Sequence, residues 1–409
     1  MKLHLTGPSN TKLNDTITIT GSKSESNRSL LLAALFPNIT IENISNSDDA
    51  QLMAKGLKIS EGTVDIHHAG TAMRFLTGYF SSQEGKDVVL TGSKRMTERP
   101  IEILVDALRT LGAEISYVQD EGYPPIKIKG QHIVKDKVSL PANVSSQYIS
   151  SLLLIAPNLK NGLELELVGK ITSVPYIKMT LGLLEEIGVE TSFEGSLIKV
   201  FPKAKVLPTT LVVESDWSSA SYFYGICALA EPGTEITLSA YKKESLQGDS
   251  VLADIYTIFG VETIFGENKV TLKKTDKKVL AQNELDLVNA PDIAQTIAVT
   301  CFGLGVGCHL IGLHTLKIKE TDRLEALDVE LSKLGANISV TNKSLTILPT
   351  TEINADVAID TYNDHRMAMA FAPLAMKTTL IVNDAEVVSK SYPDFWNDLK
   401  QLDFSIKEL

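Results

Sequence analysis

Cysteine is scarce in this chain: Cys227, Cys301 and Cys308 are the only three in 409 residues. Each lies in an apolar stretch ("YGICALA", "VTCFGLGVGC"), and none has a Lys or Arg close by in sequence. So odd and sparse a set argues against a disulfide framework and against a cysteine nucleophile. It reads as reduced core thiols and predicts a cytoplasmic location. Long apolar runs are missing too: none approaches the roughly 18 residues that a membrane span needs. The start, "MKLHLTGPSNTKLND", lacks the apolar stretch of a signal peptide. Positive charge is in deficit, with 39 Lys and Arg against 50 Asp and Glu and a net charge of −11. That field repels nucleic acid and anionic membranes, so neither is an expected partner. A metal set is not apparent, because His67-His68 is the only tight histidine pair and no Cys or carboxylate completes it. There is no P-loop spacing and no G-x-G-x-x-G after a strand.

What is present is a repeat. The chain exceeds the length at which one core keeps growing, so two domains are expected. Four segments follow one plan of helix, Gly, β-run, turn and second β-run, pivoting on Gly112, Gly188, Gly260 and Gly335. Each glycine suits the residue just past a helix end, and the links "EGS", "GEN" and "TNK" read as hairpin turns. Between them lie six helices that begin polar and continue apolar on nearly every side. They are "SKSESNRSLLLAALF", "GTAMRFLTGYF", "SSQYISSLLLIAP", "DWSSASYFYGICALA", "PDIAQTIAVTCFGLGVG" and "NDHRMAMAFAPLAM". Helices apolar all round belong in a core. Outer helices also have polar entries: "SDDAQLM", "TERPIEIL", "SVPYIKM", "QGDSVLA", "KETDRLEAL" and "SYPDFWNDL". The expectation is an α/β protein of six units of about 68 residues, three per domain. A short strand pair is expected at the start, bracketed by Gly7-Pro8 and Gly21. The polar stretch "KKESLQGDS" (242–250) is the candidate linker, and the first unit looks clipped at "GLKISEGTVDIHHAG".

The first turn of a helix exposes unpaired N–H groups and about half a positive charge, so helix starts that gather cations suit phosphate or carboxylate. Here the starts carry Lys23 and Arg28, Arg74, Ser145-Ser146-Gln147, His365-Arg366, Arg95, Arg99, Lys319 and Arg323. Each has a plainer reading on its own. "SKSESNR" and "SSQ" could be caps, "KIKETDRLEAL" an exposed helix laced by ion pairs, and "NDHR" a capping Asp with a satisfied His. Lys390 alone is a surface lysine, and Asp292 alone is an N-cap after Pro291. Recurrence at equivalent places of a repeat favours an anion site. Carboxylates there, Asp292 and Glu320, are the candidates for proton transfer.

"GSKSESNRSLLLAAL", "AGTAMRFLTG", "RMTERPI", "SSQYISSLL", "PDIAQTIAV", "KIKETDRL" and "YNDHRMAMAF" together resemble, in order and along nearly the whole chain, the 5-enolpyruvylshikimate-3-phosphate (EPSP) synthases. The resemblance implies a two-domain inside-out α/β barrel. Each domain would hold three β-α-β-α-β-β units with helix N-termini facing the interdomain cleft, the first unit being shortened. It implies domains of 1–20 with 242–409, and 21–241. The implied reaction transfers the enolpyruvyl group of phosphoenolpyruvate to the 5-hydroxyl of shikimate-3-phosphate and releases phosphate. This is the sixth step of the shikimate pathway, run by a monomer without metal or organic cofactor. Carried over by motif, Lys23, Ser24, Arg28, Ser145, Ser146, Gln147, Ser173, Tyr176, Asp292 and Lys319 would hold shikimate-3-phosphate. Lys23, Gly70, Arg99, Gln147, Arg323, His365, Arg366 and Lys390 would hold phosphoenolpyruvate. Asp292, Glu320 and Lys23 would share the proton transfers.

Three residues depart from the family pattern. His68 stands where Asn is common, Phe75 where Pro follows the Arg, and Thr315 where an Asn usually contacts the shikimate phosphate. Phe75 sits in the helix that starts at Gly70, so weaker inhibition by glyphosate is expected. Two alternatives stay open. A UDP-N-acetylglucosamine enolpyruvyl transferase shares the fold but commonly uses a cleft-loop Cys, absent from "TGSKRMTERP". A non-catalytic anion binder would not need both Asp292 and Glu320.

Overall fold

The computed structural model describes residues 1–143, 145–171 and 174–409, the side chain of residue 318 excepted. The chain divides into two units, one of residues 21–213 and one of residues 1–20 with 214–409.

In the unit of residues 21–213, strands Glu61–Asp65 and Asp87–Thr91 run parallel, joined through the helix Gly70–Ser81. The helix Glu102–Leu111 then leads into the hairpin Glu114–Tyr117 and Ile126–Lys129, which completes a four-stranded sheet. The next stretch repeats this design. Lys137–Pro141 and Leu163–Val168 are parallel across the helix Ser146–Ile155, and the hairpin Thr191–Glu194/Leu197–Val200 follows the helix Val174–Glu186. Alternation explains the one-sided burial: Leu163, Leu165 and Leu167 point inward while Glu166 and Val168 are exposed. The third repeat is clipped. Strand Ile39–Glu42 pairs in parallel with Thr209–Val212 and nothing more. After the helix Asp48–Gly56 the chain passes directly to Glu61–Asp65, which is where the other repeats insert a hairpin.

The other unit holds three complete repeats. Asn14–Ile17 is parallel to Glu235–Ser239, and Val261–Gly266 and Lys269–Lys274 close that sheet. Gln282–Asp286, Gly307–Ile311 and the hairpin Ile338–Val340/Ser344–Ile347 form the second. Val357–Ile359, Leu380–Val382, Leu3–Thr6 and Ser405–Glu408 form the third. Among the described residues there are thus six sheets, five of four strands and one of two. The helix Trp217–Leu229 is buried along its length apart from Ser218, and Ala294–Gly303 throughout. The glycine positions behave as their placement predicts: Gly112, Gly188, Gly260 and Gly335 have φ of 111°, 78°, 76° and 101°.

Two expectations need correction. Leu3–Thr6 and Asn14–Ile17 do not pair with each other; they enter two different sheets as partners of distant strands. The division of the chain falls at 213/214 and not at 241/242. Segment 242–250 is no linker, because Glu214 holds it. The Glu214 carboxylate accepts Lys242 N at 2.8 Å, Ser245 Oγ at 2.5 Å and Trp217 Nε1 at 2.8 Å. The Gln247 amide donates to Ser215 O and accepts from Trp217 N, both at 2.9 Å. Polar composition suggested exposure, while its partners lay some 30 residues upstream.

Candidate active site

Each unit gathers charged side chains at the starts of its helices. In the unit containing residues 214–409, Arg323 opens the helix Arg323–Lys333 behind the cap Asp322. Its side chain is 2% exposed, and Asp364, which it meets, is fully buried. Arg323 Nε donates to Asp364 Oδ2 at 2.7 Å, Nη1 to Asp292 Oδ1 at 2.8 Å and Nη2 to Glu320 Oε2 at 2.9 Å. Burial alone would lower its pKa, but the charges of Asp364, Glu320 and Asp292 hold the guanidinium above the ordinary arginine range. Asp292 also meets Lys319 Nζ at 3.5 Å and Arg366 Nη2 at 3.3 Å. It is therefore no helix cap; the short turn Pro291–Ile293 presents its carboxylate to three cations.

Asp364 does cap, accepting from Arg366 N at 2.9 Å, and so joins the helix His365–Phe371 to Arg323. His365, the first residue of that helix, is buried. Lys390 Nζ donates to Asn363 O at 2.6 Å, which brings it to the loop before Asp364. Arg366 Nη2 further donates to Ser218 Oγ at 3.2 Å, and Ser218 donates to Asp249. Burial first, and the Asp292 charge second, push the Asp249 carboxyl up to about 6. Thr315, the residue in place of a family Asn, has its Oγ1 buried without a hydrogen-bond partner among the described residues.

The unit of residues 21–213 solves its electrostatics differently. Arg28, buried in the helix Lys23–Leu35, uses neutral acceptors: Thr180 Oγ1 at 2.8 Å from Nε, Ser24 O at 2.7 Å from Nη1, and Ser150 Oγ at 2.9 Å and Tyr176 O at 3.4 Å from Nη2. Its guanidinium carbon lies 5.3 Å from the centroid of the Phe75 ring. Burial lowers its pKa to about 10. With five N–H donors on a guanidinium, one at Nη1 has no acceptor among the described residues. Arg74 repeats the situation, donating to Gly70 O at 3.2 Å and Pro100 O at 3.3 Å. Burial and then the Arg99 charge lower its pKa to about 10. Among the described residues neither Arg28, Arg74 nor Arg99 has a carboxylate at ion-pair distance. Gly70 lies against Arg99: a Cβ built there would come 2.7 Å from Arg99 Nη1, so the end of that half-buried side chain would have to move.

Ser145 caps the helix Ser146–Ile155, accepting from Gln147 N at 3.3 Å, while Gln147 Nε2 reaches Thr71 Oγ1 at 3.2 Å. Lys23 opens its helix, and its charge opposes the upward push that burial exerts on Asp49, whose Oδ1 accepts from Asn27 at 2.8 Å. Ser24 and Tyr176 enter through their carbonyls, and Ser146 stands in the first turn of its helix. Ser173 lies outside the described residues. The sequence reading missed Asp49, Asp249 and Asp364 as members of these clusters. All three sit in polar helix entries already quoted, so the rule that singled out the cations would have found them had it been applied to acids. Among the described residues no group of three His, Cys, Asp or Glu could hold a metal ion.

The architecture places the chain in a known structural class. EPSP synthase from Acinetobacter baumannii superposes with a TM-score of 0.80 at 21% identity, covering 100% of both chains. The enolpyruvyl transferase NikO from Streptomyces tendae gives 0.73 at 15%, covering 99% of this chain and 98% of its own. These likenesses define the fold as that of enolpyruvyl transferases. The chain belongs to the EPSP synthase (3-phosphoshikimate 1-carboxyvinyltransferase) family, whose profile matches residues 8–60 and 57–399. It is 47% identical over 413 residues to the 3-phosphoshikimate 1-carboxyvinyltransferase of Bacteroides fragilis (strain YCH46), covering 100% of this chain and 99% of that one. The 3-phosphoshikimate 1-carboxyvinyltransferase of Shewanella pealeana is 37% identical over 422 residues, covering 96% and 97%. Membership carries the family's reaction, enolpyruvyl transfer from phosphoenolpyruvate to shikimate-3-phosphate.

Proposed function

We propose that this chain carries out that transfer with Asp292 and Glu320 as its proton-handling pair and with charged helix starts of both units holding the substrates. The observation that carries the reading is the Arg323 fork, which binds the two carboxylates through separate nitrogens at 2.8 and 2.9 Å. They are thereby fixed in relation to one another, as opposite proton transfers on neighbouring atoms require. Asp292 takes the proton of the 5-hydroxyl while Glu320 gives one to the methylene carbon of phosphoenolpyruvate. The oxygen then bonds to the cationic carbon. In the second stage the methyl carbon returns its proton to Glu320, the C–O bond to phosphate breaks, and the departing phosphate takes the proton that Asp292 had removed.

The uncompensated Arg28, together with Lys23, Ser24, Ser145, Ser146, Gln147, Ser173, Tyr176 and Lys319, takes shikimate-3-phosphate. Arg99 over Gly70, with Lys23, Gln147, Arg323, His365, Arg366 and Lys390, takes phosphoenolpyruvate. Buried arginines suit this task because an arriving phosphate or carboxylate replaces charge compensation that the fold withholds. The buried free thiols Cys227, Cys301 and Cys308 fit a reducing compartment, in keeping with a cytoplasmic enzyme.

The test is phosphate release from phosphoenolpyruvate with shikimate-3-phosphate or UDP-N-acetylglucosamine as acceptor. Release is expected with the first only, falling at least about 100-fold in Asp292→Ala and in Glu320→Ala. Release with the sugar nucleotide alone would overturn the substrate assignment. Full activity in either variant would overturn the roles.

A further inference from the structure

Asp364 governs both arginines of its cluster, holding Arg323 through Oδ2 at 2.7 Å and ordering the first turn of Arg366's helix through Oδ1 at 2.9 Å. What places Asp364 is the turn in front of it. Tyr362 and Asn363 have φ of 54° and 55°, two successive non-glycine residues in the left-handed region. Such backbone is unfavourable and persists only when its surroundings enforce it.

The enforcement converges on one fully buried side chain, Glu330, two turns along the helix that Arg323 opens. Glu330 Oε1 accepts the Tyr362 hydroxyl at 2.6 Å, and Oε2 accepts Asp360 N at 3.2 Å. Lys333 Nζ neutralises it at 2.9 and 2.8 Å and also reaches Asp360 Oδ2 at 2.9 Å. Asp364 N donates to Thr361 O at 2.8 Å, closing the turn from within. One helix thus holds the turn at both ends, by Glu330 on the near side and by Arg323 on Asp364.

We infer that Glu330 is a positioning residue for enolpyruvyl transfer: through Tyr362 and the Asp360 amide it fixes the left-handed turn that sets Asp364, and with it Arg323 and Arg366. The inference rests on the function proposed above. It touches no substrate directly. Its effect therefore falls first on the substrate that both arginines are proposed to hold, phosphoenolpyruvate, and leaves the shikimate-3-phosphate ligands on residues 21–213 alone.

The decisive variant is Tyr362→Phe, which deletes one hydroxyl from a side chain that is 38% exposed and so should fold. Kinetics with each substrate varied in turn should show KM for phosphoenolpyruvate raised about tenfold, the worth of one hydrogen bond to a charged acceptor. KM for shikimate-3-phosphate should stay within about twofold, and the melting temperature within about 3 °C. Glu330→Gln, which keeps one acceptor oxygen, should resemble Tyr362→Phe. The double variant should fall short of the sum of the two single effects, because the two side chains share one contact. Equal rises in both KM values with a large fall in melting temperature would make Glu330 a merely structural residue and overturn the inference. So would wild-type kinetics in Tyr362→Phe. If the wild-type chain itself released no phosphate with shikimate-3-phosphate, the functional reading would fall first and the inference with it.

Discussion

Arg323 and Arg28 are both buried arginines at helix starts, and they are opposites. Arg323 is enclosed by Asp364, Asp292 and Glu320, so its charge is spent within the fold. Arg28 meets hydroxyls, backbone carbonyls and an aromatic face, and its burial remains uncompensated. Buried ions are costly unless paired. On the proposed function, the difference separates an arginine that organises Asp292 and Glu320 as well as meeting phosphoenolpyruvate from one whose partners are all neutral and whose charge shikimate-3-phosphate would compensate. Arg74 and Arg99, which oppose each other's charge, belong with Arg28.

The contrast breaks most visibly at Arg323. Arg323→Met leaves three carboxylates facing one another with their shared partner gone, so denaturant titration should show a loss of about 3–5 kcal/mol, and activity should vanish. Arg28→Met is expected to do the reverse. Thr180 Oγ1 still bonds Ser150 Oγ at 2.9 Å and Tyr176 O at 2.9 Å, so no hydroxyl is orphaned. Stability should change by less than about 1 kcal/mol while affinity for shikimate-3-phosphate, by calorimetry, falls about 100-fold.

A smaller effect follows from Asp249, the buried acid at the far end of the Asp292–Arg366–Ser218 chain. Its carboxyl is pushed up to about 6 from an ordinary 3.8, so the folded state favours the protonated form. The associated stability is full below the unfolded pKa and is lost as pH rises from about 4 through about 6. Asp249→Asn should therefore match the wild type at pH near 4 and exceed it by about 1–3 kcal/mol at pH near 8. Thermal melts across that range would show it; a gap that does not change with pH would contradict the assignment. Phe75→Leu should have the smallest effect. Loss of the ring 5.3 Å from Arg28 should weaken shikimate-3-phosphate binding about two- to fivefold, measured by the same calorimetry.

Much of this was legible in the sequence for local reasons. Helix starts, left-handed glycines and hairpin turns are written in short windows, which is why the six-unit plan, the clipped first repeat and the cations could be read directly. What escaped was set by distant partners. "QGDS" and "NDHR" gave Asp249 and Asp364 as polar helix entries, but nothing within either stretch says that one meets Ser218 and the other Arg323. The role of Glu330 was invisible for the same reason, since in "LEALDVELSK" it reads as one more acid on an amphipathic helix. The stretch 242–250 misled in the opposite direction, its polar side chains being the means by which Glu214 fastens it. Phe75 was read as a change beside Gly70, whereas its ring faces Arg28.

The most direct test is equilibrium unfolding of wild type and Arg28→Met, each with and without shikimate-3-phosphate. The two proteins should agree to within about 1 kcal/mol when unliganded. Ligand at a hundred times its dissociation constant should stabilise the wild type by about 2.7 kcal/mol and the variant hardly at all. A variant several kcal/mol less stable without ligand, or one stabilised as much as the wild type, would show that Arg28 serves the fold and not the substrate.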